Sequence, residues 1–198
     1  LLKDHQVRGF LGFLLLTWLV FGTWLWANSE HAWLDAFRIV AVNVTSVVTT
    51  TGFALGDYTT WGSFAVLLFF YLTFVGGCCG STSGGLKIFR FQVAFVLLKA
   101  NLQQLVHPRA VIKQQYNNHN LDEEIVRSLI TFSFFFAITI GVIALGLALI
   151  GLDWVTALTG AATAVCNVGP GLGPIIGPAG NFSTLPDSAK WLLTVGML

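Results

Sequence analysis

Charge is what this chain has least of. Asp, Glu, Lys and Arg make up only 10% of its 198 residues, against roughly 25% in an ordinary soluble domain. A water-soluble fold of this length could not cover its surface with so few, and 55% of the residues are hydrophobic. The composition therefore excludes a soluble protein and points to an integral membrane one. Cysteine is sparse too. Cys78, Cys79 and Cys166 form no C-x-x-C pair, and the adjacent two read as small, weakly polar packing residues rather than a metal or redox site. No basic run offers itself to nucleic acid, and the net charge of +1 names no partner. His5, His31, His107 and His119 sit on loops or helix ends without carboxylates spaced to share a metal. The acidic residues lie nearly all in loops, so neither an enzyme site nor a buried carboxylate for proton relay is spelled out.

What is abundant is apolar and aromatic: 7 Trp and 17 Phe suit lipid contact and interfacial anchoring. Gly9 to Ala27 is 19 uncharged residues, enough for a membrane-spanning helix, with Trp24, Trp26 and Trp33 near one interface. A second helix starts at Trp33-Leu34-Asp35-Ala36-Phe37-Arg38. Its continuation to Gly56 is rich in Thr and Ser, and fits a re-entrant half-helix followed by an extended segment better than a crossing. Tyr58 to Leu86 carries no charge over 29 residues, yet it is not one helix. Trp61 to Val75 reads as helix, and Gly76-Gly77-Cys78-Cys79-Gly80-Ser81-Thr82-Ser83-Gly84-Gly85 then breaks it, each glycine costing up to about 1 kcal/mol relative to Ala inside a helix. Close packing on small residues is one reading of this stretch; a flexible intramembrane loop is the one its length favours. Helix resumes at Leu86 and runs to about Val106. His107-Pro108 ends it, and the polar residues from Arg109 to Asp122 read as a solvent loop. Ser128 to Leu152 gives 25 uncharged residues for another spanning helix. An Ala/Thr-rich half-helix from Val155 to Val165, a Gly/Pro-rich outer loop through Pro186 and an apolar run from Ala189 to Leu198 follow. Without an initial Met, and ending inside an apolar run, the chain reads as a piece of something longer with no signal peptide in view. Asn43-Val44-Thr45 and Asn181-Phe182-Ser183 match a glycosylation pattern by chance.

Two glycine-centred segments stand out: Val47-Val48-Thr49-Thr50-Thr51-Gly52-Phe53, and Val165-Cys166-Asn167-Val168-Gly169-Pro170-Gly171, with Gly169 following Gly52 by 117 residues. Extended backbone of this kind can offer a row of carbonyls in place of the water shell of a cation, with Thr hydroxyls as further ligands. Neutral oxygens suit a weakly hydrated monovalent cation such as potassium, because stripping a divalent ion would call for carboxylates. Half-helices directing their C-terminal ends at such a site would add roughly half a negative charge each. The order helix, half-helix, glycine-centred segment, helix occurs twice in the same direction. Eight of the ten Lys and Arg residues fall on one predicted side, which places the termini and central loop in the cytoplasm and both segments near the outer face. The fold class is therefore all-α integral membrane, built of repeated helix–re-entrant pore helix–filter–helix units. Two units cannot close a four-sided filter, so the chain either dimerises or is half of a four-unit pseudo-tetramer.

Thr49-Thr50-Thr51-Gly52-Phe53, the Gly76–Lys87 stretch and Asn167-Val168-Gly169-Pro170-Gly171-Leu172-Gly173 together resemble the Trk/Ktr/HKT superfamily of potassium transporters, and within it the bacterial TrkH-type membrane subunit. The resemblance implies a potassium-channel-like pseudo-tetramer of which two of four repeats are present. Residues 1–106 would be the third membrane-pore-membrane repeat with a broken second helix, 107–122 a cytoplasmic loop, and 123–198 the fourth repeat, truncated in its last helix. It implies that Thr50, Thr51, Gly52, Phe53, Asn167, Val168, Gly169 and Pro170 form a potassium filter. Gly76, Gly77, Gly80, Ser81, Thr82, Ser83, Gly84 and Gly85 would form a gating loop beneath it, and bulky residues at Gly84 and Gly85 would change open probability without changing ion preference. It further implies a multi-pass protein of the bacterial inner membrane, transporting potassium without an organic cofactor. That protein would act as a homodimer of the full-length chain with a cytoplasmic nucleotide-binding ring of TrkA type, and without nucleic acid. A basic residue that the family carries in its last broken helix would lie beyond Leu198. Passive and ion-coupled transport (symport) both stay open. Two other readings remain: a secondary solute carrier with a broken-helix binding site, a class built on inverted rather than parallel repeats, and a non-transporting membrane subunit that would need no filter.

Overall fold

The computed structural model describes residues 4–107, 115–117 and 119–198. Helix α1 (His5–Asn28) begins where the Asp4 carboxylate accepts the Gln6 amide at 2.8 Å, an N-cap that satisfies one of the helix's orphan donors. Its 24 residues extend about 36 Å. Helix α2 (Trp33–Val48) turns back against α1 and stops at Thr49. Helix α3 (Ser63–Phe74) follows, then a two-residue strand β1 (Val75–Gly76), the glycine-rich loop, strand β2 (Leu86–Lys87) and helix α4 (Ile88–Val106). A short hairpin of β3 (Gln115–Tyr116) and β4 (His119–Asn120) leads to α5 (Glu123–Leu149), which pairs with α6 (Trp154–Val165) as α1 pairs with α2; α7 (Asp187–Gly196) comes last. Among the described residues α1 and α5 are long and apolar enough to cross a membrane, and the other helices are shorter or less apolar.

Three boundaries differ from the sequence reading. Tyr58–Trp61 is a 3-10 turn capped by Asp57, and Gly62 at φ +109° separates it from α3, so the helix starts at Ser63 rather than Trp61. Leu86 and Lys87 are not helical. They pair in parallel with Val75 and Gly76, and Gly85 at φ +68° turns the chain into that pairing, so α4 starts at Ile88. The expected solvent loop carries the β3–β4 hairpin; Pro108, Arg109 and Lys113 of that loop, like Lys3, lie outside the described residues.

Two apolar cores result. One joins α1, α2 and α3 through Phe21, Val40, Val44, Val48 and Phe69, all fully buried, with Tyr58 stacked on Phe69 at 3.9 Å between ring centroids. Cys166, Val168 and Leu172, from the far end of the chain, complete it. The second joins α5, α6 and α7 through Ile143, Leu147, Ala161, Ala162 and Leu193. The small residues of α6 let its neighbours approach closely, which is how helices associate where lipid removes the usual apolar driving force. Outward faces stay apolar: Leu15, Leu16 and Leu19 on α1, and Phe134, Phe135 and Leu145 on α5, are exposed, far more apolar surface than water tolerates.

Candidate functional site

Helices α2 and α6 end in the same way. Thr49, Thr50 and Thr51 donate their amides to the carbonyls of Thr45, Val47 and Ser46 at 2.9, 3.1 and 2.8 Å. Cys166, Asn167 and Val168 donate to Ala162, Ala164 and Thr163, each at 3.0 Å. Every one of these positions is displaced by 117 from its counterpart. This is the Schellman closure, whose turning residue takes a left-handed conformation and is usually glycine. Here it is Thr50 at φ +55° and Asn167 at φ +54°. Asn tolerates that region, whereas a β-branched residue there is an outlier costing on the order of 1–3 kcal/mol.

Beyond each cap the chain runs through a glycine with positive φ, Gly52 at +82° and Gly169 at +114°. The two glycines face each other: a Cβ on Gly169 would lie 3.6 Å from the Gly52 Cα, and one on Gly52 would strike the Val168 carbonyl. Glycine is thus needed for both dihedral and approach. Among the described residues no protein donor reaches the carbonyls of Thr50, Thr51, Gly52, Phe53, Asn167, Val168 or Gly169. Pro170 departs from this set, because its carbonyl accepts the Thr163 hydroxyl at 3.0 Å. The Phe53 side chain is 77% exposed.

The hydroxyls are partly committed. Thr49 gives its proton to the Thr45 carbonyl at 2.6 Å, so in the 2.8 Å Thr49–Thr51 pair Thr51 is the donor and its lone pairs remain available. The Thr50 hydroxyl accepts from the Gly84 amide at 3.1 Å.

That last bond joins the first segment to the glycine-rich loop. Gly84 also abuts the Cys166 carbonyl and lies where a Cβ would be 3.3 Å from that of Asn167, so it sits against both segments. Gly76 and Gly77 form the buried base of the loop, while Gly80, Ser81 and Thr82 form its exposed tip. Ser83 accepts the Gly77 amide at 2.9 Å and pairs with Ser81 at 2.8 Å. The Lys87 ammonium reaches across to the carbonyls of Ser81 (2.9 Å) and Ser83. The Cys79 amide donates to Gln6 of α1, and Tyr116 of the hairpin donates to Gln92 of α4. Burial, and then the Asp4 carboxylate, push the Tyr116 phenol upward. Arg90 lies 3.6 Å over the Phe132 ring, tying α4 to α5.

The structure therefore brings the predicted glycine segments and loop into one contact region. It also adds side chains that the sequence reading passed over: Asn43 and Thr159, each bonded to backbone on the far side of a segment, Thr163 behind Gly169, and Lys87 within the loop. A lone Asn in the apolar run from Ile39 to Val48, and Thr159 and Thr163 spaced four apart on one face of α6, were the available signals.

The TrkH family, described as cation transport protein, matches residues 1–198, and this chain belongs to it. The Trk system potassium uptake protein TrkI of Halomonas elongata is 58% identical over 198 residues, covering 100% of this chain and 40% of that protein. The Trk system potassium uptake protein TrkH of Vibrio parahaemolyticus is 34% identical over 197 residues, with 99% of this chain and 40% of that protein covered. The crystal structure of the potassium transporter TrkH from Vibrio parahaemolyticus shares this mostly helical fold with a TM-score of 0.90 at 33% identity, covering 98% of this chain and 41% of that one. The chain thus spans about 40% of the length of these relatives. The family is one of membrane transporters and not of enzymes.

Proposed function

We propose that this chain supplies part of a potassium-uptake pore. Thr50, Thr51, Gly52 and Phe53 with Asn167, Val168, Gly169 and Pro170 line its selectivity filter, and Gly76, Gly77, Gly80, Ser81, Thr82, Ser83, Gly84 and Gly85 form its gate. The observation that carries this is one backbone trace occurring twice, 117 residues apart, with the carbonyls of Thr50 to Phe53 and of Asn167 to Gly169 left open among the described residues. Irregular backbone with unpaired carbonyls survives at membrane depth only where it is buried in protein, faces water or holds an ion. Neutral oxygens favour a monovalent cation, and the relatives are potassium uptake proteins by name.

On this reading residues 1–106 and 123–198 are the third and fourth of four membrane-pore-membrane units in a potassium-channel-like pseudo-tetramer, joined by a cytoplasmic loop at 107–122. The full-length protein is a multi-pass protein of the bacterial inner membrane. It works as a homodimer with a TrkA-type nucleotide-binding ring, a pairing that rests on family resemblance.

Rubidium uptake into proteoliposomes by the full-length protein tests the filter. Gly52→Ser and Gly169→Ser should each abolish uptake or lower rubidium-over-sodium selectivity at least about tenfold, since carbonyl geometry sets ion preference. Unchanged rate and selectivity in both would reduce the segments to turns and bring the carrier reading forward.

A further inference from the structure

We propose that Asn43 and Thr159 are positioning residues for ion selection, each holding the backbone of the residue three past its filter glycine. This rests on the pore reading above. Asn43 is fully buried in α2. Its amide nitrogen donates to the Leu55 carbonyl at 3.0 Å and its amide oxygen accepts the Leu55 N–H at 2.7 Å. In the other half the Thr159 hydroxyl accepts the Leu172 N–H at 3.1 Å, and shares its proton between the carbonyls of Leu172 (3.1 Å) and Val155 (2.7 Å). Leu55 follows Gly52, and Leu172 follows Gly169, by the same three residues.

The two side chains are not counterparts in the helix. The residue 117 before Thr159 is Val42, and Asn43 is the next one along. Two helices thus reach one outcome, both backbone groups of one residue secured from the helix, by different chemistry from different positions. Filling space would not require it, since Leu or Val at either site would pack without the cost of burying polar atoms.

The halves differ in how much else holds them. Between Thr51 and Leu55, among the described residues, no backbone amide finds a protein partner. That segment is held before Gly52 by its cap and by the Thr50–Gly84 bond, and past Gly52 by Asn43. The second strand has further anchors: the Thr163 hydroxyl accepts the Gly169 N–H at 3.1 Å and donates to the Pro170 carbonyl at 3.0 Å, and the Gly171 amide donates to Ile176 at 2.7 Å. Ser46 occupies the position of Thr163 in the first half, and its buried hydroxyl has no partner among the described residues. Ion preference depends on how many carbonyls meet the ion and how firmly they keep their spacing. Past its filter glycine the first segment therefore depends more heavily on Asn43 than the second does on Thr159.

The test is rubidium uptake against sodium competition by the full-length protein in proteoliposomes, with Gly169→Ser as the reference for a broken filter. Asn43→Leu should lower the rubidium-over-sodium ratio about tenfold, equivalent to ~1.4 kcal/mol. Thr159→Val should lower it only about threefold, the worth of a modest net hydrogen bond, because Thr163 still holds that strand. Thr159→Ser, which keeps the hydroxyl, should restore the native ratio. Loss of selectivity in Gly169→Ser with native ratios in Asn43→Leu and Thr159→Val would overturn the proposal and leave the filter standing. A native ratio in all three would instead overturn the pore reading. Should Asn43→Leu fail to reach the membrane, the Thr159 pair decides: equal ratios in Thr159→Val and Thr159→Ser reduce the contact to scaffolding.

Discussion

The Gly84 amide donates to the Thr50 hydroxyl at 3.1 Å, across 34 residues of sequence. The last turn of the glycine-rich loop and the first residue past the α2 cap are therefore one mechanical unit, with the Cys166 carbonyl packed against the same glycine. Gate and filter, on the proposed reading, meet at a single atom group. This contact revises the sequence-based expectation for Gly84: a bulky residue there should change ion preference as well as flux, where a pure gate would change flux alone. Gly84→Val and Thr82→Val compared by rubidium uptake with sodium competition separate these: the first should shift rate and selectivity, the second, at the exposed tip, the rate only. Unaltered selectivity in Gly84→Val would show that the contact transmits nothing.

Lys87 ties the loop to itself. Its ammonium bonds the carbonyls of Ser81 and Ser83 and reaches both hydroxyls, at 3.3 and 3.2 Å. Charge-assisted hydrogen bonds contribute on the order of 1.5–3 kcal/mol, so Lys87→Met should loosen the tip without moving its buried base. The expected outcome is amide exchange faster by about tenfold or more at residues 78–83, with rubidium uptake raised in parallel. Exchange as slow as in the parent protein would remove Lys87 from any account of loop closure.

Glycine has different reasons at two nearby positions. Gly52 and Gly56 both hold positive φ, +82° and +78°, but a Cβ on Gly56 would meet nothing within 4 Å while one on Gly52 would strike the Val168 carbonyl. Gly56→Ala should cost only the dihedral penalty, on the order of 1 kcal/mol. Gly52→Ala should cost more, and should lower the melting temperature of detergent-solubilised protein further than Gly56→Ala does. Equal shifts would mean that the two segments part easily.

Helix α6 starts at a carboxylate. Asp153 accepts the Thr156 amide at 3.1 Å, an N-cap of the kind whose loss typically costs ~1 kcal/mol. Asp153→Ala should lower stability to chemical denaturant by about that amount, and Asp153→Asn, also a good cap, should not. A matching loss in both would assign the effect to charge rather than to capping.

Most of the helical scaffold was legible because membrane chemistry writes it in plain form. Uncharged runs of 19 and 25 residues became α1 and α5, and the Ala/Thr-rich stretch before Asn167 became α6. The glycine segments announced themselves by composition and by their spacing. What could not be read was any contact depending on where a side chain lands after the turn. Asn43 sits in a tripeptide that resembles a glycosylation acceptor, and nothing local to it points twelve residues on to Leu55. Lys87 looked like the first cation of a helix, but the β1–β2 pairing leaves it in extended backbone, from which it can fold back over the loop. Boundaries at Trp61 and Leu86 moved for the same reason: Gly62 and Gly85 take conformations that only the assembled structure demands.

Cys166, Val168 and Leu172 complete the apolar core around Phe21 and Val48, and this has a consequence for biosynthesis. The first helices of this chain reach the membrane with a gap in their packing that a segment about a hundred residues downstream fills. At roughly 5–20 residues per second of translation, that vacancy lasts on the order of ten seconds. During that time α1, α2 and α3 must be tolerated as a half-built assembly, held by lipid or by the insertion machinery. Substitutions at Val168 or Leu172 would accordingly register first as lost yield during insertion, upstream of any defect in transport.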